Sequence, residues 1–242
     1  MKYLVLFDID GTILKFKHSI AKKIFAEELE KFLNLKIPEI ALPDFYGMTD
    51  LQIIKNICLN IGYSYNELAK NLSNLWENLY NIFLSYSNNE NIYLMPGIRD
   101  LIEILDSDND FILGLLTGNF KKNAYLKIRT VGLDEFFQFG AFGCDTEDRD
   151  LLPPIAIERA NNFFNKEKLF NNSNTIIIGD TYRDIQCAKA NNIACIAVCT
   201  GYQSYEELAK LNPEAIFNDL TNTILIKDTI IRLINEKNYH SN

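Results

Sequence analysis

The stretch LVLFDIDGT, residues 4–12, runs from an unbroken apolar segment into two aspartates one residue apart and then a Gly-Thr turn. A short apolar run without polar alternation fits a strand covered on both faces, as in a parallel sheet. Asp8 and Asp10 then stand where that strand ends. Two adjacent carboxylates there cost electrostatic energy unless a cation lies between them, so the pair points to function.

Three further runs have the same character: FILGLLT (111–117), NTIIIG (174–179) and ACIAVCT (194–200). Helical spacing falls between them. GIRDLIEIL (97–105) repeats apolar residues at Ile98, Leu101, Ile102 and Leu105, LPPIAIERANNFF (152–164) opens on prolines, and RDIQCAKANN (183–192) ends in asparagines. Strands alternating with helices predict an α/β chain, a doubly wound Rossmann-like parallel sheet with right-handed crossovers. Residues 17–91 break the rhythm. They hold the helical patterns SIAKKIFAEELEKFL, DLQIIKNICLNIG and YNELAKNLSNLWENLYNIFLSY, and no convincing strand. An insertion of that size is expected to be a small all-helical domain beside the carboxyl ends of the strands, with SNNEN (87–91) as the hinge on its return. The expected division is 1–16 and 92–242 for the core and 17–91 for the insertion.

Composition limits the functional classes. At 242 residues and 48% hydrophobic the chain can bury a large core, and a net charge of −8 argues against nucleic-acid partners and against a basic helix on a membrane surface. An anionic substrate stays open, because a bound cation reverses the local sign. Cys58, Cys144, Cys187, Cys195 and Cys199 form no CxxC pair and several sit in apolar runs, which fits packing in a reducing compartment. Only a five-residue apolar run, 3–7, precedes Asp8, too short for a signal-peptide core, and no stretch is long enough to span a bilayer. The expectation is a soluble cytoplasmic protein of undetermined oligomeric state. His18 and His240 lie apart and read as surface residues.

In open parallel sheets ligands bind beyond the carboxyl ends of the strands. Here those ends deliver Asp8 and Asp10, then Thr117, Gly118 and Asn119, then Gly179 and Asp180, with Asp184 four residues later at the first turn of a helix. Two unit charges 4 Å apart repel by roughly 4 kcal/mol at an effective dielectric of 20. Oxygen-only ligands point to a hard cation, Mg²⁺ before Zn²⁺. A divalent ion with a hydroxyl and turn amides makes a receptor for a phosphoryl group, which one carboxylate can attack while the second moves protons.

These motifs resemble the haloacid dehalogenase-like hydrolase superfamily: DIDGT its first motif, LLTGN its second, IIIGDTYRD its fourth, in matching order and spacing. The helical insertion is similar to the C1-type cap of the phosphoglycolate phosphatase and β-phosphoglucomutase branch. The resemblance implies a Mg²⁺-dependent phosphatase of a small phosphorylated metabolite. It makes Asp8 the nucleophile of an aspartyl-phosphate, and Asp10 the general acid/base and a carbonyl ligand of Mg²⁺. Thr117 with the Gly118 and Asn119 amides would hold the phosphoryl group, Asp180 would ligate the metal, and Asp184 would support it directly or through water. The third motif departs, since CDTEDRDLLPPIAIERA lacks the family's lysine. Arg149 is taken for that role, with Lys121 and Lys122 as substitutes and Arg159 as a packing residue.

In the cap, YGMTD (46–50) resembles a segment that faces the site in this branch; Thr49 would touch substrate, or simply cap the next helix. Trp76 and Tyr80 read as cap core. A phosphomutase would share the chemistry, but DGTILKFK does not continue as that branch does. Dehalogenases lack an equivalent of Asp10. Phosphonate cleavage would need a cap amine such as Lys22, Lys23 or Lys55. A non-catalytic phosphoacceptor of the receiver type would place its aspartate on a later strand and carry no large insertion.

Overall fold

In the computed structural model, described for residues 1–17, 20–88, 90–166 and 168–240, the first strand is β1 (Tyr3–Phe7). His18 lies outside the described residues, as does the side chain of His240. Every β1 residue is buried, and alternate side chains enter different clusters: Tyr3, Val5 and Phe7 on one face, Leu4 and Leu6 on the other. That two-sided burial is why the strand reads as a continuous apolar run.

The chain continues through β2 (Leu14–Phe16), then α1 (Ile20–Leu33), α2 (Asp50–Asn60), α3 (Tyr65–Ala69) and α4 (Leu72–Tyr86), and returns through β3 (Ile92–Leu94). The remainder alternates: α5 (Ile98–Asp106), β4 (Phe111–Leu116), α6 (Lys121–Thr130), β5 (Gly140–Ala141), α7 (Leu152–Phe163), β6 (Thr175–Gly179), α8 (Tyr182–Ala190), β7 (Ala194–Val198), α9 (Tyr205–Ala209), β8 (Ala215–Phe217) and α10 (Thr223–His240). Six strands form one parallel sheet in the order β5-β4-β1-β6-β7-β8. The α/β expectation holds. Residues of α5 and α10 pack on the face of Tyr3, Val5 and Phe7, and those of α7 and α8 pack on the face of Leu4 and Leu6.

The two edge strands β5 and β8 are not legible in the sequence: one is two residues long, and the other is only half-buried. The second addition is a ribbon. β2 pairs antiparallel with β3 in the register Leu14↔Leu94, Lys15↔Tyr93 and Phe16↔Ile92, extended by Lys17 N–H donating to Asn91 O at 2.7 Å. The entry to the helical insertion and the exit from it therefore lie side by side.

The central position of β1 sets the site. The chain runs outward on one side through β4 and β5 and then returns to the other side of β1 at β6, so the carboxyl ends of β4, β1 and β6 meet at the topological switch point. The five cysteines are free thiols, and among the described residues no helix is long and apolar enough to cross a membrane. Leu6, fully buried against the α7 and α8 face, carries the packing behind that crevice. Leu6→Ala is expected to destabilise the fold by about 2–5 kcal/mol in urea unfolding, as for other buried leucines.

Candidate active site

Beyond the ends of β1 and β6, Asp8, Asp180 and Asp184 each offer a carboxylate oxygen, and these oxygens lie within 4.8 Å of one another. All three residues are buried. Burial pushes the Asp8 carboxyl from the ordinary 3.8 up to about 7; Arg149 opposes the shift, while Asp184 and Asp10 add to it. Burial also drives Asp180 well upward, reinforced by repulsion from Asp8 and Asp184 and countered by the Thr12 hydroxyl, which donates to it at 3.2 Å. Gly11 makes the approach possible. Its φ is +97°, and a Cβ there would sit 2.3 Å from Asp180 Oδ2.

Arg149 is the cation among these acids. It stands in a single 3₁₀ turn, Arg149–Leu151, capped by Asp148 accepting from Asp150 N–H at 3.0 Å, just before the prolines that open α7. Its side chain is 5% exposed. Nη2 donates to Asp8 Oδ1 at 2.9 Å and to Asp184 Oδ1 at 2.5 Å, while Nη1 donates to Gly47 O at 3.0 Å. Burial works against the charged guanidinium, but Asp184 and Asp8 hold its pKa above the ordinary value. The second oxygen of Asp184 accepts from Thr181 N–H at 3.0 Å and from its hydroxyl at 2.7 Å, closing the cap of α8.

Asp10 belongs to a separate group. Asn119 Nδ2 donates to its Oδ2 at 2.6 Å and to Thr117 Oγ1 at 2.7 Å. Lys127 Nζ donates to both Asp10 oxygens, at 2.8 and 2.6 Å, and to Asn119 Oδ1 at 2.6 Å. Sequence reasoning missed Lys127: among the lysines of α6 it weighed only Lys121 and Lys122. Lys122 does pair outward with Glu77, but Lys127 is 4% exposed and enters the site. The available signal was its place on the inward stripe of α6 with Ala124 and Ile128.

The helical insertion closes against these motifs. Asp50 N–H donates to Gly118 O at 2.8 Å, and Phe120 N–H donates to Asp50 Oδ2 at 2.7 Å. A Cβ on Gly118 would come 1.9 Å from Met48 O, so only glycine permits this contact. Trp76 stacks on Phe120 with ring centroids 4.7 Å apart. Thr49 takes the capping role: its hydroxyl accepts from Gln52 N–H at 3.1 Å and donates to Glu147 O at 2.8 Å, fully buried. It does not line the cavity between insertion and sheet, whereas its neighbours Met48 and Asp50 do. Lys55 pairs with Glu147, and Arg159 makes two bonds to Asp145 at 2.6 and 2.8 Å, a packing role.

A family model described as haloacid dehalogenase-like hydrolase matches residues 5–198. The chain belongs to the haloacid dehalogenase-like hydrolases. Among curated relatives of this hydrolase, the pyrophosphatase PpaX of Listeria welshimeri is 25% identical over 224 residues, covering 92% of this chain and 94% of that one. The phosphoglycolate phosphatase of Vibrio parahaemolyticus is 23% identical over 220 residues, covering 90% and 92%. Among solved structures, β-phosphoglucomutase from Clostridium difficile has the same fold, with a TM-score of 0.68 at 19% identity, covering 97% of this chain and 99% of that one.

The donor set fits a divalent cation. Three buried carboxylates face one guanidinium, which leaves two negative charges unmatched, whereas Asp10 already has Lys127. Raised carboxyl pKa values express the same deficit, and the ligands are all oxygen, as hard ions require. The pH sign follows. Asp8 holds its proton more tightly folded than unfolded, so raising pH from the ordinary 3.8 through about 7 lowers metal-free stability. The metal-free melting temperature is expected to fall over that window on this account. Mg²⁺ at a hundred times its Kd is expected to restore about 2.7 kcal/mol at pH 8. Asp180→Asn is expected to raise the metal-free melting temperature at pH 8 and to abolish the Mg²⁺ effect, both readable by thermal-shift titration.

Proposed function

We propose that this hydrolase is a Mg²⁺-dependent phosphatase of a small phosphorylated metabolite, working through an aspartyl-phosphate on Asp8. The observation that carries the reading is the separation of two acids two residues apart. Asp8 is held by Arg149 among the buried carboxylates, and Asp10 is held apart by Lys127 and Asn119. Two carboxylates in different surroundings suit two different tasks.

Asp8, Asp180 and the Asp10 carbonyl would hold Mg²⁺, with Asp184 supporting through Arg149 and the α8 cap. The ion, when bound, supplies positive charge that lets an anionic nucleophile meet an anionic phosphoryl group. Asp8 attacks phosphorus, and Asp10 gives its proton to the departing alkoxide. Thr117 and the Gly118 and Asn119 amides hold phosphoryl oxygens, and Arg149 balances charge on Asp8. Asp10 then takes a proton from water as that water attacks the aspartyl-phosphate, releasing inorganic phosphate and restoring Asp8. Lys127 and Asn119 act as positioning residues for Asp10.

We assign residues 17–91 to a cap that excludes bulk water, and 1–16 with 92–242 to the core. The docking of Asp50 on Gly118 and Phe120 supports this division. Free thiols support a cytoplasmic location. The pyrophosphatase and phosphoglycolate phosphatase names of the relatives support a phosphate-ester or phosphoanhydride substrate.

Asp8→Asn is expected to remain folded by circular dichroism and to abolish phosphate release from acetyl phosphate with Mg²⁺. Asp10→Asn is expected to slow turnover by about 10²–10⁴-fold, the usual contribution of a positioned acid/base. Activity retained in Asp8→Asn overturns the reading. Sugar-phosphate isomerisation outpacing phosphate release would instead identify a mutase.

A further inference from the structure

The cavity between the insertion and the sheet has a volume of about 410 Å³, within the range of sites that enclose whole organic ligands. Asp8, Asp10, Thr117 and Arg149 form its floor. Above them the wall is aromatic: Phe16, Phe25, Phe45, Phe83, Tyr46 and Tyr202 all face it. Glycolate or a second phosphate, the leaving groups implied by the relatives' names, would leave most of this apolar surface uncovered.

The charged groups agree. Lys127 is paired with Asp10, and Arg149 with Asp8 and Asp184. Two other lysines in the wall lie against rings: Lys15 Nζ is 4.1 Å from the Tyr202 centroid, and Lys22 Nζ is 5.8 Å from that of Phe45.

Lys127, whose ammonium holds Asp10, stands 5.4 Å from the Phe16 ring and 5.9 Å from that of Phe83. A leaving oxygen at Asp10 therefore carries its substituent toward Phe16 and Phe83.

We propose that the substrate is a phosphate monoester of a ring-bearing, largely apolar alcohol, rather than pyrophosphate or a small carboxylated ester. The assignment deepens the phosphatase reading and rests on it.

The test compares 2-(indol-3-yl)ethyl phosphate, its naphthyl analogue without the N–H, 2-phosphoglycolate and inorganic pyrophosphate, with acetyl phosphate as a generic substrate. The indolyl ester is expected to exceed phosphoglycolate and pyrophosphate in kcat/KM by at least about tenfold, chiefly through KM. The naphthyl ester is expected to share that advantage, since the ring itself fills the aromatic wall. Phosphoglycolate or pyrophosphate equalling the indolyl ester while acetyl phosphate is hydrolysed overturns the assignment and leaves the phosphatase reading standing. So does a naphthyl ester no better than phosphoglycolate.

Calorimetry with Asp8→Asn separates binding from turnover. Tighter binding of the indolyl ester than of phosphoglycolate supports the pocket assignment even if no phosphate is released by the unsubstituted protein. Equal or weaker binding overturns it.

Discussion

Asp8, Asp180 and Asp184 converge within 4.8 Å where three strands of a parallel sheet end, with the single guanidinium of Arg149 bonded to two of them. The rest of the site is arranged around that excess of negative charge. Gly11 turns at positive φ so that backbone passes close beside Asp180. Thr181 closes one oxygen of Asp184 into a helix cap, which fixes the other oxygen toward Arg149. Repulsion among the acids is held in place by surrounding packing, since β1 is buried on both faces and cannot yield.

Arg149 links this charge cluster to the helical insertion. One of its terminal nitrogens is on Asp8 and Asp184, and the other is on the carbonyl of Gly47, two residues before the cap of α2. A few residues on, Asp50 joins the backbone of Gly118 and Phe120, on either side of the Asn119 that holds Asp10. The insertion therefore contacts both the Asp8 side and the Asp10 side of the site. A lysine at position 149 would lack the planar fork that reaches the two acids and the Gly47 carbonyl together.

The fold was largely legible because parallel strands buried on both sides write themselves as apolar runs, and four of the six sheet strands do so. The edge strands were silent for the same reason: Ala215–Phe217 is only half-buried, and Gly140–Ala141 is too short for a pattern. In the site, the aspartates, Thr117 and Asn119 could be located because they follow strands directly. Arg149 could be located because it precedes prolines that start a helix. Lys127 could not, since it is brought to Asp10 by the rotation of α6, where its neighbours Lys121 and Arg129 are ordinary surface cations. Thr49 was open to two readings, and only the position of its hydroxyl on Gln52 and Glu147 separates them.

The paired strands β2 and β3 bring Phe16 opposite Ile92, so more than seventy residues leave the sheet and return at nearly one point. Segments whose two ends touch can be lengthened, shortened or exchanged without altering the strand pairing of the host, because no strand of the six-stranded sheet lies between them. The wall of the cavity and the acids at its floor are thus carried on separable pieces of chain: Phe25, Phe45 and Phe83 can change while the acids beneath them stay fixed.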